Sequence, residues 1–512
     1  MHTNGNLAAG RPAARVAWWR MLNASQWYVF ILAALGWFFD TMDQQLFTIS
    51  RSITMAALFP KEAFEVQADY GRWATAIFII GWATGGLVFG ILGDKWGRAK
   101  TMAASILAYA IFTGLSGLAT TFEQFALFRF LTGLGVGGEF AVGATLVAEV
   151  MPEGARAGAL GMLQALSAIG NVVGASLLGI IVPRHGFLGG WQGLYFAGSA
   201  PALLAVFVFF RLREPEKWIE ARKRMVAGGG SAVEFGAVSQ LFSIPRWRKS
   251  TFVGLGLVTA GALTLWGAGF WGSDLIDSAI PTIATEIKPL VARDLEAKTS
   301  PLLTGMPQAE VLVIQDLSRR LGPHPSAWGE MTSAEKARMT ELVGNSRTKD
   351  EKTRLKSTAG ILQQFGAFTG MCLFGIISSR IGHKKTFFCS FLLGWVTLVM
   401  MFYGFHHPYQ IWFLWPMMGI GVLGPFGGYA IYLPELFPTR LRSTGISFCY
   451  NVARYITAAG LFVLSPIAKH FNWAFGLEGF RVVSLAITFA YIFGFVALIW
   501  APETSGKPLP ED

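Results

Sequence analysis

Long apolar stretches constrain the fold of this 512-residue chain more than any other feature. Only 14% of the residues are charged, against about 25% in soluble domains. Twelve stretches approach the length of about 20 residues that a helix needs to cross a bilayer. Spanning backbones must satisfy their own hydrogen bonds as helices or closed barrels, and continuous rather than alternating apolar runs favour helices. The predicted spans cover residues 27–48, 71–92, 101–119, 123–147, 158–182, 191–211, 250–273, 357–378, 386–404, 409–433, 446–466 and 480–500.

The basic residues explain the net charge of +11 without a nucleic-acid partner. Basic residues favour the cytoplasmic side of a membrane protein. They cluster before the first span (Arg11, Arg15, Arg20), after the second (Lys95, Arg98, Lys100), in "RLREPEKWIEARKRM" after the sixth, and in "RIGHKK" after the eighth. All of these segments lie on one side of the membrane if both termini are cytoplasmic, which is the topology that the sequence predicts.

The second half of the chain repeats motifs of the first. "GILGDKWGRAK", which starts at Gly90, returns as "GIISSRIGHKK" 285 residues later, at Gly375. "AEVMPEGARAG" returns as "PELFPTRLRSTG", and there the offset is 286, as between Arg156 and Arg442. The repeat predicts an all-α membrane protein with twelve transmembrane helices in two pseudo-symmetric six-helix bundles.

The repeat and the spans together predict the division of the chain. The N-terminal bundle covers residues 27–211 and the C-terminal bundle residues 250–501, with a cytoplasmic linker at 212–249 and cytoplasmic tails at 1–26 and 502–512. Residues 274–356 form an insertion on the outer face. Within it, Thr332 stands three residues before Glu335, a capping-box signal for a short helix, and "AEVLVIQDLSRRL" has the apolar spacing of an amphipathic helix.

These motifs resemble those of the major facilitator superfamily. The loop after the second span matches the family pattern at Gly90, Leu92, Asp94, Lys95, Gly97, Arg98 and Lys100. The Glu-x-x-Pro-x-x-x-Arg segments, "REPEKW" and "PETSGKPL" resemble the branch of sugar porters and organic-acid symporters. The second copy of the loop departs from the pattern, with Ser379 in place of Asp and His383 in place of Arg. The resemblance implies a monomeric plasma-membrane transporter that works by alternating access without a cofactor.

Asp94 is the one acid among the basic residues of the first loop, so it needs an explanation of its own. We expect it to accept hydrogen bonds from a helix N-terminus of the opposite bundle, where the positive end of the helix dipole favours an anion. Gly97 suits a tight turn in which a Cβ would crowd the backbone. The alternative for Lys95, Arg98 and Lys100 is a purely topological role. The predicted gate comprises Gly90, Asp94, Lys95, Gly97, Arg98, Lys100, Glu149, Arg156, Glu435 and Arg442.

Ionisable residues inside the spans are costly and therefore indicate functional sites. Asp40 and Asp43 lie on one face of the first span, and the fourth span carries Arg129 and Glu139. The pattern at Asp40 resembles the Asp-Gly-x-Asp of proton-coupled organic-acid symporters, with Thr41 in place of the glycine. We expect Asp40, Asp43 and Glu139 to couple transport to protons, and Arg129 to alternate between Asp43 and an anionic substrate. A permanent structural bridge between Asp43 and Arg129 is the alternative.

Arg454 lies near the middle of the eleventh span, and its fixed donors suit a carboxylate. The predicted substrate site comprises Arg129, Arg454, Gln164, Asn451, Gln363 and Tyr429. The sequence contains no motif of metal ligands or of a catalytic nucleophile, and Cys372, Cys389 and Cys449 indicate no disulfide framework. We therefore expect a transporter rather than an enzyme, whose partners are protons, the bilayer and a small organic anion such as an aromatic carboxylate. Sugar or polyol transport is the alternative, and a non-transporting sensor is a third reading.

Overall fold

The computed structural model describes residues 17–182, 189–227, 235–279, 332–470 and 479–511, and within these ranges the regular secondary structure is helical. The helices are α1 Ala24–Leu58, α2 Phe64–Lys95, α3 Arg98–Ser116, α4 Phe122–Val150, α5 Glu153–Ile181, α6 Gly190–Gly198, α7 Pro201–Arg211, α8 Glu216–Ala227, α9 Val238–Ser243, α10 Pro245–Ala279, α11 Ser333–Ile381, α12 His383–Gly404, α13 Ile411–Met418, α14 Gly424–Leu436, α15 Arg442–His470, α16 Gly479–Thr488 and α17 Tyr491–Trp500. A π-helical turn, Gly419–Leu423, joins α13 to α14.

The predicted spans fall on these helices. In the described part of the chain, eight helical segments are long and apolar enough to cross a membrane. The other predicted spans fall on α1, on the pair α6 and α7, on α10 and on α15. Charged side chains such as Asp40 and Arg454 lower the hydropathy of α1 and α15, and the sixth span is divided because α7 begins anew at Pro201.

Close glycine contacts occur at equivalent positions of the two halves, separated by the same number of residues as the repeated motifs. In the first half, Gly81 and Gly85 of α2 press against the backbone of α4. In the second half, Gly366 and Gly370 of α11 press against the backbone of α13 and of the π-helical turn. Small residues let helices approach closely in a membrane. The second-half glycines lie 285 residues after their first-half counterparts, so the repeat specifies the same helix packing twice.

The halves meet chiefly where α2 contacts α15 and where α5 contacts α11. We call one end of the bundles the motif face; it carries the turn at Gly97 between α2 and α3 and the turn at Gly382 between α11 and α12. The chain segment after α17 also lies there, since the Tyr432 hydroxyl donates to the Pro502 carbonyl at 2.6 Å.

The helix predicted to begin after Thr332 does begin at Ser333, but it is not short. It continues for 49 residues to Ile381 and includes the predicted eighth span. The physical reason is that no proline interrupts Ser333–Ile381, so the backbone hydrogen bonds run on from the polar insertion into the span. The second predicted helix of the insertion, at 309–321, and the start of the N-terminal tail lie outside the described residues.

Two glycines of α4 test the close packing directly. A Cβ at Gly137 would overlap backbone atoms of Trp82 and Gly86, whereas a Cβ at Gly143 would meet no atom within 4 Å. We predict that Gly137→Ala lowers the free energy of unfolding by about 1 to 3 kcal/mol through overpacking. Gly143→Ala, the matched control, gains up to about 1 kcal/mol of helix propensity. Thermal unfolding of both purified variants in detergent measures the difference, and equal stability of the two variants contradicts the packing argument.

Candidate functional site

Asp94 lies at the end of α2 on the motif face and is fully buried. Its carboxylate accepts hydrogen bonds from the backbone N–H groups of Ser443 at 3.2 Å and Thr444 at 2.8 Å, and from the Thr444 hydroxyl at 2.7 Å. These donors form the first turn of α15 in the opposite half, where the helix dipole favours an anion. This is the contact that the sequence predicts for Asp94, and it holds the two halves together on the motif face.

A second buried cluster crosses between the halves beside Asp94. The Arg98 guanidinium donates to both carboxylate oxygens of Glu149 at 3.0 Å and to the Thr439 carbonyl of the second half at 2.6 Å. Glu149 also accepts from Arg442 of the second half at 2.5 Å. Bidentate arginine–carboxylate bonds are strong, and separating buried partners is costly. The motif face is therefore closed.

The other predicted gate residues support this arrangement locally. The Nε of Arg156 donates to the Ala148 carbonyl, and the Nε of Arg442 donates to the Pro434 carbonyl, each eight residues earlier. Lys95 and Lys100 are exposed. A Cβ at Gly90 would overlap the Ser447 side chain of α15, so this glycine permits the close approach of the halves.

Two glutamates that the sequence analysis did not single out cap helices on the motif face. Glu214 accepts from the backbone N–H groups of Arg98, Ala99 and Lys100 at the start of α3. Glu503 does the same for His383 and Lys384 at the start of α12, at 2.9 and 3.1 Å. Each glutamate stands next to a proline just after the last span of its half, and that shared position is the signal that could have found them.

The gate chemistry differs in the second half. His383 occupies the position of Arg98, and its Nε2 lies 3.0 Å from the Glu435 carboxylate. Glu435 also accepts from the Thr504 hydroxyl at 2.6 Å. Like Arg98 and Glu149, this pair lies within one half. It binds the C-terminal segment, and Glu435 interacts electrostatically with Arg156 of the first half, whereas Arg98 and Glu149 form hydrogen bonds to the other half.

Asp43 and Arg129 meet inside the first half, as the sequence predicts. Arg129 Nη1 lies 3.7 Å from Asp43 Oδ2, and both side chains are fully buried. Asp43 Oδ1 accepts from the Thr113 hydroxyl at 2.9 Å. The guanidinium also donates to the Ser116 and Thr132 hydroxyls and lies 4.9 Å from the ring centroid of Tyr195. The charges attract each other at a distance longer than a hydrogen bond.

Asp40 and Glu139 form a second acidic group between α1 and α4. Asp40 is fully buried, and its polar neighbour on the same helix is Gln44, one turn later. Glu139 Oε2 lies 3.4 Å from the Ser105 hydroxyl, while Oε1 points at Gly36, where a Cβ would overlap it. Asp40 lies one turn after Gly36 on α1, and it interacts electrostatically with Glu139, Asp43 and Arg454. The acids of the first half therefore face the arginine of the second.

Arg454 lies on α15 in an aromatic setting between the halves. Its guanidinium stacks on Trp82 of α2 at 3.8 Å and on Tyr450 at 4.6 Å from the ring centroids. Within the described residues its hydrogen bond runs from Nη1 to Asn451 Oδ1, at 2.6 Å. The side chain is 8% exposed. Its remaining donors suit a planar carboxylate.

The remaining predicted site residues lie in different surroundings. Gln164 is buried, its Oε1 accepts no hydrogen bond from the described residues, and Gln363 is half-buried. Asn451 contacts Arg454 directly. Tyr429 is enclosed in the packing of the second half, where its hydroxyl donates to the Leu257 carbonyl at 2.7 Å and its ring stacks on Phe387. The predicted role of Tyr429 as a substrate ligand is therefore wrong, because its side chain is fully buried and its hydroxyl proton already has an acceptor.

Comparison with known proteins identifies the type of fold. The family model of the Major Facilitator Superfamily matches residues 16–332. Among solved structures, the proton:xylose symporter XylE has a TM-score of 0.58 with 16% sequence identity, over 95% of this chain and 98% of that one. Its low identity supports a shared fold alone.

Two sequence relatives cover nearly the whole chain. A protein of Cupriavidus pinatubonensis named "Probable 4-methylmuconolactone transporter" is 25% identical over 96% of this chain and 94% of its own length. The "Cis,cis-muconate transport protein" of Acinetobacter baylyi is also 25% identical, over 94% of this chain and 95% of its own.

The contacts of Glu503 make the stability of the motif face depend on pH. Burial alone would raise the pKa of Glu503, but hydrogen bonds from the backbone N–H groups of His383, Lys384 and Ser505 outweigh it and hold that pKa below its usual value. The resulting stability is present above the unfolded pKa of about 4.3 and is lost as pH falls through the lower folded pKa. We predict that Glu503→Gln lowers the melting temperature near neutral pH, and that this difference from the wild type disappears in acid.

Thermal unfolding from pH 3 to 7 measures the effect. Glu62→Gln is the control, because Glu62 is exposed. A deficit for Glu503→Gln that stays constant across the whole range contradicts the assigned carboxylate contacts.

Proposed function

Because the chain belongs to the Major Facilitator Superfamily, and is therefore a multi-pass membrane transporter rather than an enzyme, we propose that it is a proton-coupled symporter of small organic anions. It works by alternating access between a motif face and the opposite face. The halves at 27–211 and 250–501, with their linker at 212–249, are the bodies that move. The insertion predicted at 274–356 is assigned to the opposite side of the membrane.

The surroundings of Arg454 are the observation on which this proposal rests. A buried cation between the halves is costly unless it serves an anion. One side of the guanidinium is fixed by Asn451, and both aromatic stacks hold its plane. The other donors are left for a carboxylate, and the surrounding rings of Trp82, Tyr450 and Phe140 favour an apolar, planar body on that carboxylate. The names of the two relatives that cover nearly the whole chain, a probable 4-methylmuconolactone transporter and a cis,cis-muconate transport protein, support this substrate class.

The acids of α1 and α4 supply the proton sites. A buried ionised carboxylate is costly, and Asp40 is fully buried with two further acids, Glu139 and Asp43, close enough to repel its charge. Asp43 has Arg129 as its counter-ion at 3.7 Å. A proton on Asp43 removes that attraction and releases Arg129 toward the substrate anion. Asp40 and Glu139 then relay charge between this pair and Arg454, which interacts electrostatically with Asp40.

The motif face is assigned to the cytoplasm. It presents the exposed Lys95 and Lys100, and basic loops favour the cytoplasmic side. Both termini lie there in this assignment, and the protein is a monomer of the plasma membrane. Since the described motif face is closed by Asp94, Arg98 and Glu149, the route to the cytoplasm is shut in this conformation. Opening then requires these contacts to break.

Uptake by purified protein in liposomes tests the proposal. The panel contains labelled benzoate, cis,cis-muconate, an aliphatic carboxylate, sialic acid and a hexose. We predict that an inward gradient of one pH unit drives uptake of a planar carboxylate at an initial rate above that of protein-free liposomes, toward about tenfold accumulation at one proton per substrate, and that a protonophore abolishes this uptake. Hexose uptake that does not depend on the proton gradient contradicts the organic-anion assignment and favours the sugar-porter alternative.

Asp43→Asn separates proton coupling from substrate passage. The amide keeps the size of the side chain and a hydrogen-bonding oxygen but cannot carry the charge that pairs with Arg129. We predict that carrier-dependent accumulation is lost, so that the substrate reaches equal concentrations inside and outside. This is a loss of about tenfold under the same gradient, while exchange of labelled for unlabelled substrate persists. The matched control is Asp69→Asn, since Asp69 is exposed beside Arg72. Unchanged accumulation by Asp43→Asn removes Asp43 from the mechanism.

A further inference from the structure

A polar seam joins the substrate arginine to the closed gate. On α2 it consists of Trp82, Gly86, Gly90 and Asp94, four residues apart and therefore on one helix face. On α15 its members are Ser443, Thr444, Ser447, Asn451 and Arg454. The helices run in opposite directions, so Asp94 meets Ser443 and Thr444 at one end while Trp82 meets Arg454 at the other. At 1.5 Å per residue the seam is about 18 Å long.

From Arg454 to Gly86 the hydrogen bonds of the seam run in one direction. Arg454 Nη1 donates to Asn451 Oδ1 at 2.6 Å, and Asn451 Nδ2 donates to the Ser447 carbonyl at 2.7 Å and hydroxyl oxygen at 3.2 Å. The Ser447 hydroxyl then donates across the halves to the Gly86 carbonyl. A reversed Asn451 amide would place its NH₂ group against the guanidinium, so Arg454 fixes the orientation of Asn451 and, through it, that of the Ser447 hydroxyl.

Glycine makes this chain of bonds possible. A Cβ at Gly86 would overlap the Asn451 amide, and a Cβ at Gly90 would overlap Ser447. Because hydrogen bonds in series polarise one another, the charge of Arg454 strengthens the bond that Ser447 makes to the opposite half. That bond lies between the Arg454 site and the Asp94 contact on the motif face.

We propose that Asn451 is a positioning residue that couples occupation of Arg454 to opening of the motif face. Resting on the proposed function, the step is that a substrate carboxylate draws the guanidinium away from Asn451 Oδ1. The amide loses its fixed orientation, the Ser447 bond to Gly86 weakens, and α2 separates from α15 more readily. Asn451 thereby acts through Arg454 and Ser447 rather than as a ligand of the substrate.

Distance measurements between spin labels test the coupling. Labels are placed at Trp96→Cys and Ser379→Cys, two exposed positions on the motif face in different halves. The background lacks Cys372, Cys389 and Cys449, and size-exclusion chromatography with thermal unfolding confirms that each full-length variant is folded. An open motif face adds a longer distance to the distribution. The ratio of long to short distances is the readout, and a merely stabilising side chain does not move it in response to substrate.

Without ligand, we expect Asn451→Ala and Ser447→Ala each to raise this ratio about five- to tenfold, the effect of losing one net hydrogen bond. Arg454→Met gives the same shift, and Arg454→Lys, which keeps a charged donor, restores most of the closed population. Thr457→Ala is the matched control: Thr457 lies one turn after Arg454, its hydroxyl donates to the Ala453 carbonyl of its own helix, and the distances stay at the wild-type values. The proposal is overturned if Ser447→Ala opens the face while Asn451→Ala and Arg454→Met leave it closed, or if all variants stay closed.

Benzoate and cis,cis-muconate supply the second part of the test. In the wild type each acid is expected to raise the ratio of long to short distances, and in Asn451→Ala it has no further effect although the acid still binds. A full response of Asn451→Ala to either acid overturns the coupling. If neither acid binds the wild type while Asn451→Ala and Arg454→Met still open the face, the proposed substrate class fails and the coupling stands.

Discussion

Charged side chains cannot face lipid without a large cost, and this constraint orders the whole molecule. Buried charges of the described helices face partners inside the protein: Arg129 faces Asp43, Arg98 faces Glu149, and Arg454 faces aromatic rings and Asn451. Asp43 and Glu149 lie on other helices than their arginines, and Trp82 lies in the other half from Arg454, while Asn451 shares α15 with Arg454. The same desolvation that makes these groups expensive therefore ties helix packing to their charge state, and a change of partner becomes a change of shape.

Much of the architecture follows from local sequence patterns. Apolar length predicts the spans, and the repeated glycines predict equivalent packing, because Gly85 and Gly370 both lie against a neighbouring backbone. Asp94 is predictable for a similar reason: an acid at the end of one span is attracted by a helix N-terminus, and the closed bundle offers α15. The pairing of Asp43 with Arg129 follows from equal depth in two neighbouring spans.

Other features depend on contacts that no local pattern specifies. The caps Glu214 and Glu503 are distant in sequence from the helices they cap, so only the folded chain brings them together. Tyr429 has a hydroxyl that could bind a substrate, yet that hydroxyl faces Leu257. Its helix is buried on all sides, so the direction of one side chain cannot be predicted from periodicity. The direction of the Asn451 amide is set by Arg454, which lies less than one helical turn away but acts through charge.

The two halves share the same helix packing but differ in the side chains at the equivalent positions of the gate. The gate is therefore asymmetric. Arg98 and Glu149 bind across the halves with Arg442 and Thr439, so their bonds must break when the motif face opens. The equivalent pair, His383 and Glu435, binds within its own half and to Thr504 of the C-terminal segment, so it can persist through the same movement. With arginine at this position of one half and histidine at the other, the cluster that forms hydrogen bonds across the halves is built on Arg98 and Glu149, beside Asp94 and the seam that leads to Arg454.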